Sequence, residues 1–331
     1  MSYSNATATS PINIVQQLVT WLVSVGWTSD LSAAEGSGWR AHLHKSGLYV
    51  HLRAIMNETV PGLTSPGTGI GVYLSTSFSS GSSWGTQPGS PPYQNGSSTA
   101  VVWAGAQLLI GSVPNMYFFA DATGDNIVVV IEKTTGIFGH FGWGPSLVKN
   151  GTWTGGAYFF GSIAGIGMYY TFGSYPGLNL TSLCPGADGD TFGGASASFV
   201  RADVDAFTGK WIGMSSNVNA TYGYTGKIGE SSVLGGVVPT NSIARYAALS
   251  VSYYPNANQL QARTTSVLHA EANFLPVLMW VKRDAAGYSL LGSLPFIYQT
   301  NGVGNGFVAA SVYPFGADNY MMFPNFAVKK V

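Results

Sequence analysis

Apolar residues recur at helical spacing in one early stretch of the chain. Ile14, Val15, Leu18, Leu22 and Val25 follow one another at three- and four-residue steps, which places them on one helix face. Ser10 supplies an N-cap, Pro11 suits the first helical position, and Gly26 is a stop. A helix is therefore expected over Ile12–Val25. After Gly26 the pattern changes to short β-rich runs between Gly, Ser and Asn turns. Arg40–His44 and Leu48–Arg53 read as a hairpin around Lys45-Ser46-Gly47. Ile70–Ser77 reads as a strand, and Val101–Ile110 as a strand or a short helix.

The strongest β signal comes next. Tyr117–Asp121 and Asn126–Glu132 flank the turn Ala122–Asp125. The unbroken apolar run Ile127–Ile131 predicts a strand covered on both faces. In Gly136–Gly144 aromatic residues alternate with Gly, so large rings are expected to lie over bare backbone. Phe199–Val204 and Ile243–Tyr254 read as further strands. Leu275–Lys282 and Tyr288–Phe296 read as a hairpin, and Tyr320–Phe323 and Phe326–Val328 as two closing strands. No period of 20–50 residues is visible, which argues against a solenoid or propeller. The expected fold is mainly β: a sandwich or barrel-like body of short antiparallel strands with one N-terminal α-helix. A leader and helix occupy 1–30 and the β-rich body 31–331. That body has room for a split into two β subdomains near 175–195, and a Ser/Gly/Pro-rich loop interrupts it at 79–98.

Composition changes this picture in one respect. The 331 residues include 14 Lys+Arg and 14 Asp+Glu, so net charge is zero and only 8% of residues are charged, against about 25% usually. Gly accounts for 44 residues, nearly twice the usual ~7%. Hydrophobic content is 46%, too high for a disordered chain. A nucleic-acid binder needs a surplus of Lys and Arg, so nucleic acid is not an expected partner. A near-neutral chain with few ions associates readily, so an assembly is expected. The single Cys184 gives no intrachain disulfide and no cysteine metal site. Ile12–Val25 is too short and polar to span a bilayer, and Tyr158–Tyr170 is broken by Gly161, Gly165 and Gly167. Membrane insertion is not expected.

Candidate chemistry is sparse. Gly81-Ser82-Ser83-Trp84-Gly85 satisfies G-x-S-x-G. A serine-hydrolase elbow needs a strand before it and a helix after it, and this match sits in a Ser/Gly/Pro loop. His42 and His44 lie two apart on a strand, hence on one face, with His51 on the partner strand. They are weak candidates for metal ligation, for want of an adjacent acidic or cysteine ligand. His140 reads as a packed ring. Asp188 and Asp190 lack the rest of a calcium loop. No glycine cluster has the register of a nucleotide fingerprint. No catalytic residue and no cofactor are expected. The 9 Trp, 18 Tyr and 17 Phe read as core and subunit-interface anchors; Trp84, Tyr93, Phe138, Phe141, Trp143 and Trp153 are the interface candidates.

The order of these features resembles virion structural proteins of tailed bacteriophages. A Thr/Ser-rich leader, Ala6–Ser10, precedes the helix. MYFFADATGDNIVVVIEKTTG (Met116–Gly136) joins an aromatic strand to a valine-rich one. FGHFGWG (Phe138–Gly144), TGGAYFFGS (Thr154–Ser162) and the closing YMMFPNF (Tyr320–Phe326) follow. The resemblance is sharpest in Met116–Ser162 and the last 60 residues. It implies a non-enzymatic structural subunit of the virion, assembled in the host bacterial cytoplasm, at the tail, baseplate or neck. Its partners would be copies of itself and other tail, baseplate or neck proteins. The leader and the Ser79–Ser98 loop would be arms that order on a neighbour. The alternative is a receptor- or glycan-binding virion protein of the tail-fibre or tailspike kind, stacking sugars on loop aromatics. A third reading is a β-rich glycan hydrolase.

Overall fold

A computed structural model describes residues 2–59, 66–90, 102–104, 113–134, 137–161, 198–204, 207–214, 225–228, 275–283, 287–299, 307–323 and 326–330. The chain opens with β1 (Ser2–Ala8), then α1 (Pro11–Ser24). The hydroxyl of Ser10 accepts the Asn13 amide, which caps the helix start. Gly26, at φ +96°, ends it, and the Trp27 amide reaches back to the Leu22 carbonyl.

A small antiparallel sheet follows: β2 (Thr28–Glu35), β3 (Gly38–Lys45), β4 (Leu48–Glu58), β5 (Gly67–Ser75) and β6 (Val102–Ala104), in that spatial order. Ser46 and Gly47 both adopt positive φ in the tight turn between β3 and β4, as a two-residue hairpin turn requires. The remaining strands form one long sheet. They are β7 (Val113–Ala120), β8 (Ile127–Thr134), β9 (Ile137–Gly144), β10 (Val148–Lys149), β11 (Thr154–Gly161), β12 (Ser198–Val204), β13 (Phe207–Met214), β14 (Thr225–Ile228), β15 (Leu275–Arg283), β16 (Gly287–Gln299), β17 (Ser311–Phe315), β18 (Asp318–Met322) and β19 (Phe326–Lys330). With β1 they run in the order β1-β7-β8-β9-β11-β12-β13-β14-β15-β16-β19-β18-β17, and β10 pairs with β16. All pairings are antiparallel except β13 with β14. The molecule is thus mainly β and sandwich-like, with α1 the one helix among the described residues.

Two cores lie on opposite faces of β7 and β8. Met116, Phe118, Ile127, Val129 and Ile131 join α1 and the inner face of the small sheet in the first core. Tyr117, Phe119, Val128 and Val130 face the second, with Leu291, Phe296, Ile297, Met321, Phe323, Phe326 and Val328. The period-2 alternation of a strand sends successive valines of β8 into different cores, as its apolar run predicts. The ring of Phe160 lies where a Cβ on Gly142 would sit, 2.6 Å from that position. The aromatic–glycine alternation does place a ring over bare backbone here.

Two expectations need correction. The leader is not a free arm: β1 is paired with β7, from Ser2 opposite Ala120 to Ala8 opposite Val113. The first part of the 79–98 loop is not an arm either. Gln87 is 2% exposed, and its side chain binds the Ser79 amide and the carbonyls of Ser79, Ser82 and Ser83. Residues 91–98, the division near 175–195 and the strand expected at 243–254 lie outside the described residues.

Candidate functional site

The small sheet has two unlike faces. Ala41, Leu43, Leu48, Val50, Leu52, Ala54, Ile70, Val72 and Leu74 turn inward to the first core. The alternate residues turn outward, and cross-strand register gathers them into rows. Arg40 stands opposite Arg53, and His42 opposite His51, which faces Tyr73 in turn. His44 stands opposite Tyr49, which is opposite Ser75. The sheet's titratable side chains therefore concentrate on this outer face, and residues 76–90 fold down over it. Phe78 packs on His42 at 4.8 Å between ring centroids, and Trp84 meets Tyr73 edge-on at 5.0 Å.

A hydrogen-bonded relay runs across the middle of this face. Ser75 Oγ donates to the Ser77 carbonyl at 2.6 Å. It therefore accepts from His51 Nε2, also 2.6 Å away. With its proton on Nε2, His51 presents a bare Nδ1, which accepts from His42 Nδ1 at 2.7 Å. The last atom of the relay, His42 Nε2, is a buried lone pair with no hydrogen-bond partner among the described residues. His42 and His51 are 0% exposed and Ser75 2%. Burial, aided by the Arg40 charge, lowers the His42 pKa to about 4. Burial and then His42 hold His51 well below the ordinary histidine range. Both rings are neutral at pH 7.

Beside the relay, Arg53 is 3% exposed. Its Nη2 lies 2.7 Å from Glu58 Oε1 and its Nε 3.0 Å from Glu35 Oε2, while Nη1 donates to the Ala54 carbonyl. A side chain on Gly38 would collide with that carbonyl and with the guanidinium. Arg40 reaches the same Glu35 at 3.4 Å.

The histidine pair singled out by its spacing is divided by its partners. His42 is spent on His51, and His44 donates Nδ1–H to Asp30 at 2.9 Å. Among the described residues no three His, Cys, Asp or Glu side chains converge as a metal would require. The order serine–histidine–histidine matches the connectivity of an activated nucleophile. In this network, however, the serine proton is committed to the Ser77 carbonyl and Oγ is buried. The G-x-S-x-G serine, Ser83, bonds Thr86 Oγ1 at 2.8 Å. No known family model and no curated protein matches the chain. The site is read from its own geometry.

The aromatic interface candidates need revision. Trp84 is 3% exposed, and Phe141 and Trp143 are fully buried in the first core. They are interior anchors of this chain: β9 sends Phe141 and Trp143 towards α1 and the small sheet, and Trp84 packs down on Tyr73 from residues 76–90. Phe138 is partly buried against Phe323, 5.2 Å between ring centroids. Trp153 is partly buried too, donating its indole N–H to the Leu291 carbonyl under Lys149. Tyr93 lies outside the described residues, as do Cys184, Asp188 and Asp190. His140 is a packed ring, 2% exposed and 4.8 Å from Phe326. Ser75 and Tyr73 carried no spacing signal; cross-strand register brings them to the histidines.

Proposed function

We propose that this chain is a non-enzymatic structural subunit of a tailed-phage virion, placed at the tail or baseplate and working through contacts with copies of itself and with neighbouring virion proteins. The resemblance of Met116–Ser162 and the closing residues supports the virion reading. The observation that carries assembly is where the scarce ions go. Arg53 pairs with Glu35 and Glu58, His44 with Asp30, Lys45 with Asp125 and Lys329 with Asp318, all within one chain. With only 8% of residues charged and these ions paired within the subunit, net repulsion between copies is weak.

The sheet edges point the same way. β1, seven residues without a charge or a proline, ends the long sheet. The opposite end, β17, carries Pro314. The small sheet's edge β2 carries Asp30 and Glu35 and is bulged near Ser29. Charges, prolines and bulges are the usual guards against strand addition; β1 has no charge and no proline, and its register shifts only between Ala6 and Ala8, at the end next to the helix.

Mass spectrometry and electron microscopy of purified particles test the reading. The chain is expected in the particle at a symmetric, multi-copy position, and light scattering of the isolated protein should give an oligomer. A stable monomer that is absent from particles overturns it.

A further inference from the structure

Residues 76–90 form a flap with its own internal fastenings. The Thr76 amide binds the Pro88 carbonyl and clasps the two ends. Gln87 ties the inside together through Ser79, Ser82 and Ser83. Such a loop holds its own shape. It is seated on the rest of the molecule through Phe78 on the His42 ring, Trp84 on Tyr73, the Ser77 carbonyl on Ser75 Oγ, and the Gly89 carbonyl accepting the Trp211 indole N–H at 2.8 Å.

We propose that residues 76–90 are an acid-released flap, closed over the neutral His42–His51–Ser75 relay and lifted when His42 takes a proton at Nε2. The geometry picks that atom. Every other polar atom of the relay is bonded, so a proton adds at Nε2 without breaking the His42–His51 bond. The new N–H then sits buried with no acceptor among the described residues.

The groups around His42 do not neutralise it. On its own strand are Arg40 and His44, and from β4 come His51, Arg53 and Tyr49. β2 brings Asp30 and Glu35, β5 Tyr73 and Ser75, and the flap Phe78 and the uncharged Gln87. Asp30 is held by His44, and Glu35 by Arg40 and Arg53. An imidazolium at His42 therefore gains stability by admitting water, which requires Phe78 to leave. The lowered pKa of His42 is the closed state's side of the same balance. The inference is independent of the virion reading.

Hydrogen exchange of the full chain at pH 7.5, 6.0, 5.0 and 4.5, corrected for intrinsic rate, tests it. The opening constant of the 76–90 peptide should rise with acid, approaching about tenfold per pH unit between 6 and 4.5. Peptides from β7 and β8 should remain far slower to exchange than the flap at every pH. His42→Asn keeps a donor near Nδ1 but does not titrate, and should flatten the response. Flap protection independent of pH overturns the proposal. So does an equal response in H42N, or flap exchange that never exceeds that of β7 and β8, which would mean that the flap opens only when the whole molecule unfolds. Should H42N not fold, NMR titration of the His42 ring in the native chain decides. Protonation at an ordinary histidine pKa with the flap still protected overturns the proposal.

Discussion

Arg53 is the side chain whose loss should cost most. It is a buried cation held by two carboxylates and a carbonyl. Arg53→Ala empties a buried space and strips Glu58 of its partner while Glu35 keeps Arg40. Because both carboxylates are part-exposed, the loss should fall at or below the low end of the range, about 3–5 kcal/mol, typical of breaking a buried pair. Urea denaturation should show a loss of that size, with a much smaller loss for Glu58→Gln. The histidines set the pH dependence. His42 and His51 titrate lower in the folded chain than in the unfolded one, so the unfolded state binds more protons as pH falls. Their contribution is fully present above the unfolded value near 6.5 and is lost as pH falls towards about 4, the His42 folded value. With both rings titrating, the slope is at most about 2.7 kcal/mol per pH unit. Denaturation midpoints between pH 7.5 and 4.5 should fall on that side only. Flat stability across the range would show that the rings are not buried neutral.

Elements differ in how much of them the sequence spells out. α1 is legible because apolar spacing, N-cap and stop agree, and it forms within a residue of expectation. β8 is legible because an unbroken valine-rich run has only one use. β1 and β2 are not: SYSNATA and TSDLSAAE lack apolar alternation, and β1 exists by pairing with a strand more than a hundred residues away. The relay was half legible. Spacing put His42 and His44 on one face, but the ring that meets His42 comes from β4 and the serine from β5. Lys45 shows how such distant elements are bolted. Its ammonium binds the Val25 carbonyl at 2.9 Å, at the end of α1, and the Thr123 carbonyl and Asp125 in the β7–β8 turn. Lys45→Met keeps the stem and loses the bolt. Thermal unfolding should drop by an amount equivalent to about 1.5–3 kcal/mol, the range for hydrogen bonds to a charged group.

At the scale of the whole molecule, association should answer to the β1 edge. Asn5 is exposed on that strand. Asn5→Lys puts a solvated charge where an added strand would lie. Light scattering should show weaker association with unchanged thermal stability. Equal association in the variant would show that copies meet elsewhere. Among the described residues, Arg40, Arg53, Lys45 and Lys329 all find their carboxylates within the subunit.

The second core has a consequence for synthesis. One wall, Tyr117, Phe119, Val128 and Val130, lies in the first half of the chain, whereas Met321, Phe323, Phe326 and Val328 come from its last dozen residues. A ribosome completes the first wall long before it makes its cover. The growing chain therefore carries an uncovered aromatic and valine surface until residues 321–328 emerge about 200 residues later, which is the situation that favours misassembly. Phe323 closes it, stacking on Phe326 and meeting Tyr117, Phe119 and Phe138 edge-on. A chain ending before residue 307 should accumulate in the insoluble fraction on expression, where the full chain stays in the supernatant. Birth order makes the arrival of residues 307–330 the step that decides between folding and aggregation.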